Sequence, residues 1–296
     1  MNLTSLCRAG VALSAAALAL LTGCSTYPPP TGTGVHFKGP VGIQLYSLRE
    51  QFRTNQPNAA AIAKGFGIHE VELAGLYNWK AEAFRDLLKG AGLEPVSGHF
   101  PYARFKDDPD GIATEAKALG LKYAGCAWID HAGPSLTPQE AKAAAEVFEK
   151  AGAIFAKSGI RCFYHCHGFE FVPDATGVAP MDLLIRNTNP AHMTFEMDVV
   201  WVIYPNQNPA AWLRKYPGRW ELMHLKDLRK GVATGVQTGI GKANDDVTLG
   251  TGQVNWPSVL AAAKKSGVKH YFIEDESNVS VTQIPETLKY LENVSW

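Results

Sequence analysis

Six apolar stretches of this chain end in residues that carry protons or bind cations. In order they are Glu72, His99, the run His165-Cys166-His167-Gly168-Phe169-Glu170, Asp198, His224 with Lys226, and Glu274. Residues two apart on an extended strand share a face, so His165 and His167 point one way and Cys166 the other. His224 and Lys226 form a second such pair. Carboxylates and imidazoles facing inward carry a large desolvation penalty unless they are partnered, and a divalent cation offsets much of it. A mixed carboxylate and imidazole set suits Mn, Mg, Co, Fe or Zn rather than a thiolate-seeking metal. Each residue also has a purely structural reading. Asp198 can cap the loop that follows it, Glu274 can belong to the acidic turn Glu274-Asp275-Glu276, and Lys226 with Asp227 can be an exposed ion pair worth under about 1 kcal/mol. Glu72 can pair with a nearby Lys, and Glu170 can face solvent. The recurrence of one placement at six strand ends favours a joint site. Glu196 has the inward parity of Asp198 and so requires a partner deeper inside, which the sequence does not name.

The elements that position these residues are written in a repeated junction, a helical run closing on Gly followed by a short apolar strand. It occurs at Ala63–Ile68, Lys89–Leu93, Lys117–Leu121, Lys157–Ile160 and Lys264–Val268. Gly just past a helix takes the left-handed cap conformation, and Lys in the last turn suits the helix dipole. Helical stretches such as Ala81–Gly90 and Pro138–Lys157 separate the strands, so the strands are parallel and joined by crossovers. Eight strands are expected, near 41–46, 69–74, 94–99, 122–128, 161–167, 193–198, 220–226 and 269–275. Eight such units in this length predict a single α/β domain, a closed (β/α)8 barrel over residues 40–296, whose chemistry gathers at the carboxyl ends of the strands. The connections after the fifth and sixth strands are short and rich in Pro and Asn. No Gly-x-Gly-x-x-Gly follows the first strand, which removes the usual support for a dinucleotide-binding sheet.

Of the 296 residues, 28 are Lys or Arg and 28 are Asp or Glu, a zero balance that gives no general basis for gripping nucleic acid or an anionic bilayer. Residues 1–23 read as a signal peptide, with Arg8 ahead of the apolar run Ala9–Leu21. The sequence Leu21-Thr22-Gly23-Cys24 resembles the lipobox of bacterial lipoproteins, which implies acylation of Cys24, and Ser25 after it fits delivery to an outer membrane. An ordinary secretory peptide with an incidental Cys24 is the alternative. Residues 24–39 are expected to be the lipidated Cys and a Pro/Gly tether, of which the stretch Thr26–Gly34 has no capacity to pack. Cys126, Cys162 and Cys166 remain. Cys162 and Cys166 lie about 13 Å apart on one strand at about 3.3 Å per residue, too far for a bridge; all three read as small buried residues, with a bridge from Cys126 to a neighbouring strand as the minor option.

At these positions the chain resembles the sugar phosphate isomerase/epimerase family, the xylose isomerase-like TIM barrels that also include a DNA-repair endonuclease. The carriers are Gly42-Ile43-Gln44-Leu45-Tyr46-Ser47-Leu48-Arg49, Val71-Glu72-Leu73-Ala74-Gly75, Tyr164-His165-Cys166-His167-Gly168-Phe169-Glu170-Phe171, Met197-Asp198-Val199, His224-Leu225-Lys226-Asp227, Gly250-Thr251-Gly252-Gln253-Val254-Asn255-Trp256 and Phe272-Ile273-Glu274. Members hold one divalent metal with Glu, Asp, His and Glu from the fifth to eighth strands. The resemblance assigns Asp198, His224 and Glu274 to the last three places. At the first place the chain departs from the pattern, offering Glu170 or, next, His165. The metal it implies is Mn, Mg, Co or Zn.

The resemblance further implies proton abstraction next to a carbonyl polarised by the metal. His165 or His167, whichever is not a ligand, would take the proton, since an imidazole titrates near neutral pH. Lys226 would steady a developing oxyanion or a hydroxyl, Glu72 and His99 would hold sugar hydroxyls, and Trp128, Trp201 and Trp256 are candidate stacking faces. A lipid-anchored periplasmic protein rarely meets phosphorylated sugars, so the expected partner is an unphosphorylated carbohydrate, with the membrane touched only through the anchor and no nucleic acid bound. Isomerisation or epimerisation is the first expectation. The Tyr-His-x-His and Phe-Glu-Phe pattern also resembles enzymes that cleave 3-keto-glycosides by elimination. A carbohydrate-binding barrel without turnover is the alternative of another class.

Overall fold

A computed structural model describes residues 31–235 and 241–296. The signal segment and Cys24 lie outside the described residues. Eight parallel strands close into a barrel in chain order: Val41–Gln44, Glu70–Leu73, Glu94–His99, Tyr123–Cys126, Arg161–His165, Met193–Asp198, Trp220–Leu225 and His270–Ile273. All eight expected strands are present, and His167 falls two residues beyond the end of the fifth. The helices Ala81–Gly90 and Pro138–Lys157 occupy the stretches expected for them. The second is started by a capping box in which Thr137 and Glu140 satisfy each other's backbone N–H groups. Helix Pro109–Leu119 ends on Gly120 and helix Trp256–Ser266 on Gly267, with φ of 79° and 91°, the left-handed caps that the Gly junctions predict. After the fifth strand the chain forms only Pro180–Arg186, and after the sixth only Val199–Ile203 and Pro209–Lys215. Cys126, Cys162 and Cys166 are free and buried.

The described end of the expected tether is packed. Phe37 is buried edge-on against Tyr271, and the Thr31 N–H donates to Glu292 on the last helix. Burial of the Phe37 ring, which follows the Pro/Gly stretch, helps hold this end of the segment against the barrel.

The barrel interior has three layers. At the amino ends of the strands, Glu221 accepts from Tyr123 and pairs with Arg161 and Lys269 at 3.0–3.1 Å. Above it Val96, Phe163, Leu222 and Phe272, all fully buried, pack across the middle. Two strand glycines make room for the rings. A Cβ on Gly125 would lie 2.3 Å from Phe163, and one on Gly42 would lie 2.6 Å from Phe272. Gly125→Ala is therefore expected to destabilise the fold by about 1–3 kcal/mol through overpacking, read as a lower urea midpoint at unchanged slope. Over this apolar plug sits the polar layer that the strand ends carry.

Candidate active site

Strand register builds the polar layer. Gln44 pairs with Glu72 and Glu72 with Ser97 across three neighbouring strands, His165 lies beside Glu196, and Asp198 beside His224. The side chains follow. Glu72 accepts from Gln44 Nε2 at 2.7 Å and from Ser97 Oγ at 2.5 Å. Glu72 Oε1 also lies 2.7 Å from His224 Nε2, and although burial works against protonation of His224, the carboxylates of Glu196, Glu274 and Glu72 hold its imidazole well above the ordinary 6.5. His224 Nδ1 stands 3.1 Å from Glu274 Oε2 and 3.8 Å from Asp198 Oδ2. Glu196 Oε2 is approached by His165 Nδ1 at 3.0 Å and by His99 Nε2 and His224 Nε2 at 3.3 Å each. These three imidazoles are the deeper partners that the sequence left unnamed for Glu196.

Burial alone would raise the Glu72 carboxyl, yet His99 and His224 hold it well below the usual carboxylate range. Burial works against protonation of His99 as well, but Glu72 and Glu196 push its pKa up to about 9. His165 and His167 go the other way. Burial lowers both, His165 well below 6.5 and His167 to about 4, so both are neutral at pH 7.

A cavity of about 360 Å³ opens above this layer, lined among others by Gln44, His99, Trp128, His165, His167, Trp201, Glu274 and Glu276. The His167 ring lies 5.5 Å from that of Trp201, nearly parallel to it, and 5.4 Å from that of Trp128, edge to face. Its Nδ1 is buried and has no hydrogen-bond partner among the described residues.

Asp198, His224 and Glu274 bring one ligand atom each within 4.8 Å of one another, all buried. Asp198 is also the cap that its structural reading describes, because Oδ1 accepts from the N–H groups of Val200 and Trp201. Its other oxygen, Oδ2, is buried without a hydrogen bond among the described residues. This oxygen, 3.3 Å from the Lys226 ammonium and 3.8 Å from His224 Nδ1, is grouped with an imidazole nitrogen and a second carboxylate, a donor set that fits a divalent cation of the Mn, Mg, Co or Zn class.

Four sequence expectations require correction. Glu170 is fully buried away from this set, accepting from the Tyr164 hydroxyl and from the His167 N–H at 2.9 Å, so it braces the turn that carries His167. Glu72 is closed off beneath His99 and His224, with no face left for a sugar hydroxyl. Trp256 is buried in the outer core, its indole N–H donating to Asp227 at 3.0 Å. Lys226 is buried rather than poised in the cavity. Its ammonium reaches Asp198 at 3.3 Å, Glu274 at 2.8 Å and Glu276 at 2.5 Å, and these hold it charged despite burial. It acts as counter-ion to the carboxylates. Its neighbour Asp227 is no surface partner; it accepts from the N–H groups of Gly250, Gly252 and Val254 and so ties down the Gly-Thr-Gly loop.

Gln44 and Glu276 were missed. Both obey the parity rule, Gln44 lying two residues after Gly42 on the first strand and Glu276 two after Glu274.

Burial raises the Glu170 carboxyl to about 7 against its bonds from Tyr164 and His167, compared with 4.5 for an ordinary Glu. Between those values the folded chain holds a proton that the unfolded chain has released. Stability from this group is therefore full below about pH 4.5 and falls as pH rises to about 7, by up to roughly 3 kcal/mol. Glu170→Gln is expected to flatten that slope in denaturation curves taken across the window.

The chain was compared with known proteins. The sequence signature described as xylose isomerase-like TIM barrel matches residues 59–296. Inosose dehydratase 1 of Bacillus cereus is 29% identical over 107 residues, which are 35% of this chain and 34% of the relative. The chain thus matches about a third of the length of that curated relative. A sugar phosphate isomerase/epimerase of Parabacteroides distasonis ATCC 8503 superposes with a TM-score of 0.72 at 22% identity, over 86% of this chain and 98% of that one. The IolI protein with a bound zinc atom superposes with a TM-score of 0.65 at 13% identity, over 85% of this chain and 94% of that one.

Proposed function

Because the chain belongs to the xylose isomerase-like TIM-barrel family, we propose that it is a divalent-metal-dependent isomerase or epimerase of an unphosphorylated carbohydrate. The observation that carries the reading is His167, a neutral imidazole whose buried Nδ1 has no partner among the described residues and which shares its cavity with Glu274. Asp198, His224 and Glu274 would hold the cation, whose chemistry when bound is to polarise a carbonyl oxygen as a Lewis acid. His167 takes the proton from the carbon next to that carbonyl, and the electrons of the C–H bond move into the carbonyl system. Return of the proton to the former carbonyl carbon, while the hydroxyl proton passes to the former carbonyl oxygen, isomerises the sugar; delivery of a proton to the opposite face of the same carbon by a second group epimerises it. Trp128 and Trp201 flank the imidazole and present apolar faces on which a sugar ring packs. His99, at the cavity wall, donates to a substrate hydroxyl.

A second reading shares the first step. If the proton loss is followed by departure of a substituent on the next carbon, the same residues run an elimination on a keto-sugar or 3-keto-glycoside. The similarity to a relative named as a dehydratase favours it. The proposal includes a periplasmic, lipid-anchored location, which rests on residues 1–24 alone.

The test is to incubate the metal-loaded protein with keto-sugars and 3-keto-glycosides in deuterated water. Deuterium at the carbon beside the carbonyl of an isomeric product supports isomerisation or epimerisation, and an unsaturated ketone with loss of the substituent supports elimination. No deuterium exchange in any of these compounds would overturn both.

A further inference from the structure

The outer helices run antiparallel to the strands, so their carboxyl ends and the turns into the next strand gather at the amino-end face, opposite the cavity. That face is basic, although the whole chain carries equal numbers of acidic and basic residues. Lys38, Lys117, Lys122, Lys157, Lys264 and Lys265 stand there, all exposed, and their ammonium groups meet no acidic partner among the described residues. The acidic residues of the same turns are already engaged. Glu70 pairs with His270 at 2.8 Å, Glu94 with Lys89 at 3.7 Å, and Glu221 with Arg161 and Lys269 at 3.1 Å each. Glu292, beside them on the last helix, accepts from the Thr31 N–H at 2.6 Å. Lysines in the last turn of a helix complement its dipole. That reason does not extend to Lys38, which precedes the first strand, or to Lys122, which directly precedes the fourth.

The N-terminal segment arrives at this same face. Phe37 is packed on Tyr271, the His36 ring lies 5.8 Å from that of Trp296, and Thr31 is held by Glu292. Val35, between them, is 82% exposed, the most exposed large hydrophobic side chain among the described residues. Cys24 lies seven residues before Thr31. Seven residues span at most about 25 Å, so acyl chains on Cys24 in a bilayer would keep the basic face near the headgroups. Fixed charges act on one another within about 10 Å at 0.1 M salt, a distance over which the balance of the far end of the barrel does not count.

We propose that the amino-end face docks on an anionic phospholipid surface, with its lysines on the headgroup phosphates and Val35 and Trp296 at the interface. Lysine stems lie along such a surface while the ammonium groups reach the phosphates, and a basic patch supplies the second signal that strengthens a lipid anchor. The cavity mouth then points away from the membrane, toward dissolved carbohydrate. The tether favours lipid over nucleic acid, the other extended polyanion, because it holds this face at the bilayer. The tether argument rests on the anchored location proposed above; the charge of the face does not, and neither depends on the chemistry in the cavity.

The test adds the full chain, purified in detergent, to preformed vesicles of phosphatidylcholine alone or mixed equally with phosphatidylglycerol. A water-soluble amine reagent is then applied, and its attachment is read lysine by lysine by mass spectrometry. Lys122, Lys157, Lys264 and Lys265 are expected to react roughly fivefold more slowly on the anionic vesicles. The difference is expected to vanish in about 1 M salt, where the screening length falls to about 3 Å. Lys80, Lys106 and Lys230, exposed at the cavity end, are expected to react alike on both. The variant Lys122→Gln/Lys264→Gln/Lys265→Gln changes only exposed side chains and is expected to lose the protection of Lys157. Equal reactivity of the four lysines on the two kinds of vesicle overturns the inference, as does protection of the cavity-end set instead. Protection by a DNA duplex and not by anionic vesicles assigns the face to nucleic acid and also overturns it. A chain that does not stay on neutral vesicles at high salt sinks the anchored location. In that case sedimentation with anionic vesicles at low salt, lost in the triple variant, upholds the face, and no sedimentation refutes it.

Discussion

His167→Asn is expected to lower turnover of the proposed carbohydrate substrate by about 10²–10⁴-fold while the protein stays folded and its metal uptake is unchanged, the range that removal of a general base produces. The side chain packs between Trp128 and Trp201, and its Nδ1 has no partner among the described residues to lose. Truncation to Asn therefore leaves no new unsatisfied group and costs little stability. The backbone N–H of His167, which Glu170 accepts, is untouched by the substitution. Steady-state rates together with deuterium wash-in separate the roles of the two imidazoles. A His167→Asn enzyme that still exchanges the substrate proton at the wild-type rate would move the base to His165. That outcome would be surprising physically, since His165 Nδ1 faces Glu196 at 3.0 Å.

The second large effect is expected from Asp198→Asn/Glu274→Gln. This protein should bind one equivalent of divalent metal fewer than wild type, by elemental analysis after dialysis, and show no detectable turnover. The amide replacements are chosen because both carboxylates have other duties. Asp198 Oδ1 caps the helix Val199–Ile203, and an Asn oxygen keeps that cap. Both carboxylates also hold Lys226, and full truncation would strip a buried ammonium of two of its three partners, at about 3–5 kcal/mol. A double variant that keeps full metal content and activity would place the working cation elsewhere.

The barrel and its polar rim were legible because they rest on two short-range rules. Gly after a helical run marks five of the turns, and parity along a strand tells which residues face inward. Asp198, His224 and Glu274 lie on or directly after strands, where parity holds, and they converge as the strand ends predicted. Glu170 does not, because it sits five residues past the strand end at His165, where the chain turns at Gly168 with φ of 99° and parity no longer applies. Trp256 opens a helix, so its direction is fixed by the helix and by Asp227 rather than by the strand before it. Lys226 has the right parity, but its role depends on Glu276 reaching it from a different strand end, a cross-strand contact that no local pattern records. The partners of Glu196 are illegible for the same reason: they stand on the third, fifth and seventh strands.

The layer of Val96, Phe163, Leu222 and Phe272 that fills the middle of the barrel has a kinetic meaning as well. It makes the cavity a room with one doorway. In the proposed reaction, product would leave through the opening by which the next substrate arrives, so the two events would be sequential and each compound would block the other. A proton lifted from one carbon in that proposed reaction would likewise find no exit through this apolar layer.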